Sequence, residues 1–87
     1  MDVYDVRIKP SAVKEIDGIA RKRDRARVVR RIASLAVDPR PDGCVKLSAR
    51  DDAYRVRQGD HRIVHVVDDE VPSVLIVKVG HRRDVYR

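Results

Sequence analysis

Five arginines, a histidine and a tyrosine in the second half of the chain are spaced so that they could converge on one part of a sheet. Arg55 and Arg57 alternate in "YRVRQGDHR", Arg62 follows the turn at Gly59, and "VGHRRDVYR" adds His81, Arg82, Arg83 and Tyr86. Alternation puts Arg55 and Arg57 on one strand face, with Arg62 close by just past the turn. Guanidinium groups match phosphate geometry bidentately and stay charged, so they suit stabilising charge that builds on phosphoryl oxygens. Chemistry at a phosphate would also call for groups that take up and release protons. Arginine effectively never gives up its proton in a protein. The nearby side chains able to exchange protons are Tyr86, whose phenolate nearby cations would favour, and His81, a residue type suited to proton transfer near neutral pH.

Each of these residues has a plainer reading. A single arginine on a strand is usually a solvated face, Tyr86 could be an anchor packed on the sheet, and His81 could simply add surface charge. The convergence of several cations changes the balance, since like charges on neighbouring strands cost stability. Asp60, Asp68, Asp69, Glu70 and Asp84 could instead neutralise the group. His61 and His65 share a strand and a face, and read as ordinary sheet residues. No Cys or carboxylate cluster joins them, so no metal and no cofactor is expected.

The elements that must position these groups follow from periodicity. Val3 to Lys9 alternates as a half-buried strand, and Pro10 ends it. Ser11 reads as an N-cap, and Ala12, Val13, Ile16, Ile19 and Ala20 recur at helical spacing. A second helix is expected over about Asp24 to Val37, with Val28, Val29, Ile32, Leu35 and Ala36 as its apolar stripe. "DPRPDGC" then breaks the helix. Strands follow at Ala53 to Gln58, His61 to Val67 and Ser73 to Val79, the last apolar on both faces as a central strand should be. The expected class is α+β in the order β-α-α-β-β-β, with two helices on one face of a mostly antiparallel sheet, as one domain over residues 1–87.

Composition points the same way. Lys and Arg total 20 against 14 Asp and Glu, a net charge of +6 in 87 residues, which favours a polyanionic partner. The basic segment "RKRDRARVVRR" puts Arg23, Arg27 and Arg30 on one helix face. That face is either solvated or grips RNA phosphates without regard to sequence. Cys44 is the sole cysteine, which excludes an intramolecular disulfide and a Cys-built zinc site. No apolar run approaches the roughly 20 residues that span a bilayer. The first ten residues lack the pattern of a signal peptide. A cytoplasmic location with no membrane partner is expected.

The stretch "YRVRQGDHRIVH", the turn "DDE" and the ending "VLIVKVGHRRDVYR" resemble bacterial toxins of the RelE branch of the RelE/ParE superfamily. The likeness extends over most of the chain, including the helical hairpin and Lys46-Leu47, and the final Gly-His-Arg-Arg-Asp-Val-Tyr run is its most specific part. The resemblance implies a type II toxin that enters the ribosomal A site, cleaves translated mRNA without metal and is neutralised by a cognate RelB-like antitoxin in a hetero-oligomer. Its partners would be the 70S ribosome, mRNA and that antitoxin. It also implies site roles for Arg55 and Arg57 on the sheet, Arg62 after the turn, Arg82 after the Gly-basic pair, and Tyr86. The sequence departs from the family where familiar members carry two sheet lysines and this chain carries Arg55 and Arg57. Two other readings stay open: a ParE-like toxin that inhibits DNA gyrase with no nuclease site, and a catalytically weak member that only binds RNA or its antitoxin.

Overall fold

The computed structural model describes residues 3–47 and 52–81. In chain order the elements are β1 (Asp5–Ile8), α1 (Pro10–Asp17), α2 (Lys22–Ser34), β2 (Val45–Lys46), β3 (Ala53–Gln58), β4 (His61–Asp68) and β5 (Ser73–His81). The strands form one sheet in the order β1-β5-β4-β3-β2. β1 runs parallel to β5, and the other pairs are antiparallel. The α+β class and the helical hairpin are as expected. The sheet has one more strand than the sequence reading gives, because β2 pairs Val45 and Lys46 with Arg55 and Tyr54.

Both helix boundaries differ from the sequence reading. Pro10 opens α1, with Lys9 as an extended N-cap that makes no side-chain cap bond. Proline's fixed φ suits the first helical turn, where its missing N–H would have no intrahelical acceptor. α2 starts at Lys22 and gives way to turns after Ser34. The two helices bury Ala12, Ile16, Val28 and Ile32 against Tyr54, Val56, Ile63, Val67, Val74, Ile76 and Val79 of the sheet. With neither Phe nor Trp in the chain, that core is aliphatic apart from Tyr54.

β5 holds the centre through two local devices. Val64 pairs with Lys78 but His65 pairs with Ile76, so Val77 is an extra residue on β5. Such a bulge shifts the alternation by one residue. Val74 and Ile76 therefore share the helix-facing side with Val79, three positions further on. The second device lies at the edge. β1 pairs with β5 only as far as Ile76. The Lys9 N–H then donates to the Ile76 carbonyl at 2.9 Å. Beyond it, the Glu15 carboxylate of α1 accepts the Val79 N–H at 3.1 Å and the Lys78 ammonium at 3.2 Å.

A second cluster docks the proline-containing loop onto the sheet. Arg40 donates two hydrogen bonds to the Asp69 carboxylate, at 3.0 and 2.9 Å, and its Nε donates to the Tyr54 hydroxyl at 2.8 Å. Tyr4 donates to the same carboxylate at 2.7 Å. The Arg40 guanidinium, and after it the Tyr4 hydroxyl, hold the Asp69 carboxyl below its ordinary value. Below Tyr54 lies His65, fully buried, with its Nε2–H donating to the Pro39 carbonyl at 2.7 Å. Its Nδ1 is buried with no hydrogen-bond partner among the described residues.

Burial pushes the His65 pKa down, against the raising effect of the Pro39 carbonyl. The unfolded chain then takes up a proton below about pH 6.5 that the folded chain refuses, so stability rises with pH across that window. Denaturation midpoints at pH 7.5 and 5.5 should fall further on acidification for the wild type than for His65→Leu, which has no group to protonate. Parallel falls would mean that His65 is not the source.

Candidate functional site

The β3–β4 hairpin builds the arginine cluster. Gly59 adopts φ 62, in the left-handed region open to glycine at no steric cost, and lets Gln58 turn directly into His61 through Gly59 and Asp60. That turn fixes the register that sets Arg57 directly opposite Arg62, and Arg55 opposite Val64. Tyr54, Val56 and Ile63 point into the core, so Arg55, Arg57 and Arg62 occupy the sheet face turned away from the helices. On its other flank Arg62 pairs with Gly80 of β5, which contributes no side chain there. Arg57 is exposed and its Nε donates to the Gly59 carbonyl at 3.0 Å, while Arg55 and Arg62 are half-buried.

His81 lies on the opposite face. After the bulge at Val77, it shares the helix-facing side with Val79, and its register partner is His61. The two imidazoles meet edge-on, with ring centroids 6.0 Å apart and planes at 75°. They line a cleft of about 820 Å³ between this end of the sheet and the α1–α2 junction, whose lining includes Arg21, Asp24 and Arg27. Arg57 also reaches this lining, so the cleft and the arginine face adjoin at the hairpin end.

Of the residues proposed from sequence, the structure thus brings Arg55, Arg57 and Arg62 together and sets His81 behind them. Arg82, Arg83 and Tyr86 lie outside the described residues. Arg23, Arg27 and Arg30 are all exposed on α2, and Arg27 borders the cleft. Sequence reasoning missed the pairing of His61 with His81. The "QGD" turn is a signal for the β3–β4 register, but nothing in the sequence fixes how β5 aligns. Among the described residues, no group of three or more His, Cys, Asp or Glu side chains is placed to hold a metal ion.

Chemically, the arginine face can bind a phosphate and stabilise negative charge on it. Among the described residues of β3 and β4 it carries no histidine or tyrosine, since Tyr54, His61 and His65 all belong to the helix-facing side. Arg57→Gln should weaken binding of a short single-stranded RNA about equally for all sequences. It should also reduce the slope of log affinity against log salt by about 0.7 for each phosphate that is no longer neutralised. Fluorescence anisotropy between 50 and 200 mM KCl reads both, and an unchanged slope would remove Arg57 from the interface.

A family model described as "ParE toxin of type II toxin-antitoxin system, parDE" matches residues 6–86. The toxin RelG of Mycobacterium tuberculosis (strain ATCC 25618 / H37Rv) is 41% identical over 34 residues. That segment spans 39% of this chain and 39% of the relative. Among solved structures, the archaeal RelE-RelB complex of Pyrococcus horikoshii OT3 superposes with a TM-score of 0.80 at 24% identity, covering 94% of this chain and 98% of its match. The RelBE2 toxin–antitoxin complex of Mycobacterium tuberculosis gives 0.77 at 27% identity, with 91% and 98% covered. The isolated Escherichia coli RelE toxin gives 0.77 at 25% identity, with 95% and 90% covered. With the family model spanning nearly every residue and the fold shared along the chain, this protein belongs to the ParE toxin family of type II toxin–antitoxin systems, within the RelE/ParE superfamily.

Proposed function

We propose that this toxin is a ribosome-dependent mRNA endoribonuclease, held inactive by a cognate RelB-like antitoxin. The observation that carries the reading is the direct opposition of Arg57 and Arg62, with Arg55 beside them, on the sheet face away from the helices. Like charges directly opposite each other on paired strands are destabilising, and a phosphate lying across them turns that cost into binding. The likeness to RelE toxins supports the choice of target, and the solved RelE-RelB complexes among the structural neighbours support the antitoxin. None of the described helices is long and apolar enough to cross a membrane.

In the proposed reaction the 2′-oxygen attacks the adjacent phosphorus while the bond from phosphorus to the 5′-oxygen breaks. The products are a 2′,3′-cyclic phosphate and a 5′-hydroxyl. Arg55, Arg57, Arg62 and Arg82 offset charge on the phosphoryl oxygens and hold the phosphate in line. His81 lies on the other face of the sheet, so the proton transfers fall first to Tyr86. Arg83 and the α2 arginines Arg23, Arg27 and Arg30 would hold RNA phosphates outside the reacting centre.

A second reading has a specific observation behind it. The matching family model is named for ParE, and both sheet positions carry arginines that cannot exchange protons. A ParE-like toxin inhibiting DNA gyrase would need no nuclease site. The two readings separate on induction in a bacterium with mRNA 5′ ends mapped. The nuclease gives cuts within translated codons that vanish when translation is blocked. Intact mRNA with gyrase-linked DNA breaks would select the other toxin. Tyr86→Phe should slow cleavage by about 10²- to 10⁴-fold, the usual range for lost acid–base catalysis. Cleavage at the wild-type rate would clear Tyr86 of that role.

A further inference from the structure

The cleft of about 820 Å³ takes no part in the proposed cleavage step, although Arg57 borders both it and the arginine face. We infer that it is a second phosphate subsite, in which Arg21 and Arg27 hold a backbone phosphate of the single-stranded RNA that crosses the arginine face. Arg57 is common to the two. The inference rests on the proposed RNA target and not on the cleavage step.

Three parts of the chain bring guanidinium groups to this cleft. Arg21 comes from the connection between the helices, Arg27 from α2 and Arg57 from β3. Arg21 and Arg27 are exposed, and neither side chain forms a hydrogen bond or ion pair among the described residues. The Glu15 carboxylate in the lining is already engaged. It accepts the Lys78 ammonium at 3.2 Å and the Val79 N–H at 3.1 Å. That leaves Asp24 and Asp60, two carboxylates against three guanidinium groups, and neither is ion-paired with an arginine of the lining. Guanidinium groups gathered without carboxylate partners repel one another, and a phosphate seated among them meets their planar fork bidentately.

The placement also selects the kind of polyanion. The arginine face and the cleft lie on opposite sides of the sheet and adjoin at the β3–β4 turn. A chain that occupies both must bend round the end of the sheet. A double helix, stiff over about 150 base pairs in the case of DNA, cannot make that bend, whereas an unpaired strand can. Contacts from guanidinium to phosphate carry no base information, so the subsite accepts any sequence. Its effect is positioning. A phosphate anchored in the cleft fixes the register of the strand while its neighbours lie across Arg57, Arg62 and Arg55 on the outer face.

The test uses the full chain and a 2′-O-methyl RNA of about eight nucleotides, a length that single-strand sites commonly cover and a chemistry that resists cleavage. No ribosome is present, so the result does not depend on nuclease activity. In fluorescence anisotropy, the double variant Arg21→Gln, Arg27→Gln should bind about tenfold more weakly than the wild type, the scale of a lost charge-assisted phosphate contact. Lys9→Gln with Lys14→Gln removes the same charge from exposed positions outside the cleft and should bind as the wild type does. Circular dichroism shows whether each variant is folded. Backbone amide NMR of the wild type gives a reading independent of the variants: the RNA should move the signals of Gly18 and Ala20 in the cleft lining. Any of four results overturns the inference. Equal weakening by the two double variants would reduce the effect to net charge. Gly18 and Ala20 signals that stay in place would confine the RNA to the arginine face. Inorganic phosphate that moves them as far as RNA at equal concentration would make this a site for the free ion. An oligoglutamate of the same length that binds there more tightly than RNA would assign the cleft to an acidic protein segment. A wild type that binds no RNA removes the RNA target and the subsite together. The expected pattern without cleavage in induced cells upholds the subsite and removes only the nuclease reading.

Discussion

Strand β5 is nine residues long and lies inside the sheet, so it needs hydrogen-bonding partners on both edges. On one edge β4 runs its whole length, but on the other β1 reaches only from Ser73 to Ile76. Buried backbone groups left without partners cost as much as a lost hydrogen bond. The chain meets that requirement with whatever follows β1. Lys9, the last residue before the helix, donates to Ile76, and Glu15, further along α1, accepts from Val79. The helix is therefore joined to the strand by a charged acceptor as well as by apolar packing. The end of β5 that carries Gly80 and His81 is held next to the hairpin that carries Arg57 and Arg62.

Much of this is legible in the sequence, and the exceptions have physical causes. Strict alternation in "YRVRQGDHR" reveals both strand faces, and Gly59 marks the turn, so the opposition of Arg57 and Arg62 is within reach. β2 is not, because two residues have no periodicity to read. Pro10 reads as the end of a strand, although proline is equally at home at the first position of a helix. The "DPRPDGC" loop reads as a plain connector. Its Arg40 instead joins Tyr54 and Asp69, and Asp69 in turn joins Tyr4, residues far apart in sequence whose side chains meet only after folding. The side of the sheet on which His81 lies is hidden for a related reason. A run apolar on both faces, as in "VLIV", gives no phase to count from.

Guanidinium groups and imidazole rings are sorted onto different sides of the sheet across its described central strands. Arg55, Arg57 and Arg62 share the outer face, whereas His61, His65 and His81 share the inner one. The three histidines differ again among themselves. His65 is sealed under Tyr54 and bonded to Pro39, a packing residue with a polar tether. His61 and His81 face each other at the open end. Residue type alone would group all three, and only depth along the strand separates them.

The extra residue Val77 acts as a phase setter for everything downstream of it. A strand alternates strictly, so one inserted position exchanges inner and outer faces from there onward. If β5 ran through Val77 without a bulge, Gly80 would face inward opposite His61, and the imidazole of His81 would emerge on the arginine face. Deleting Val77 would leave Gly80 opposite Arg62 and His81 opposite His61, because the extra residue and the bulge cancel; the two faces exchange only when one is lost without the other. The bulge thus lets β5 carry one residue more than the stretch of β4 beside it, while Ile76 and Val79 both stay in the core.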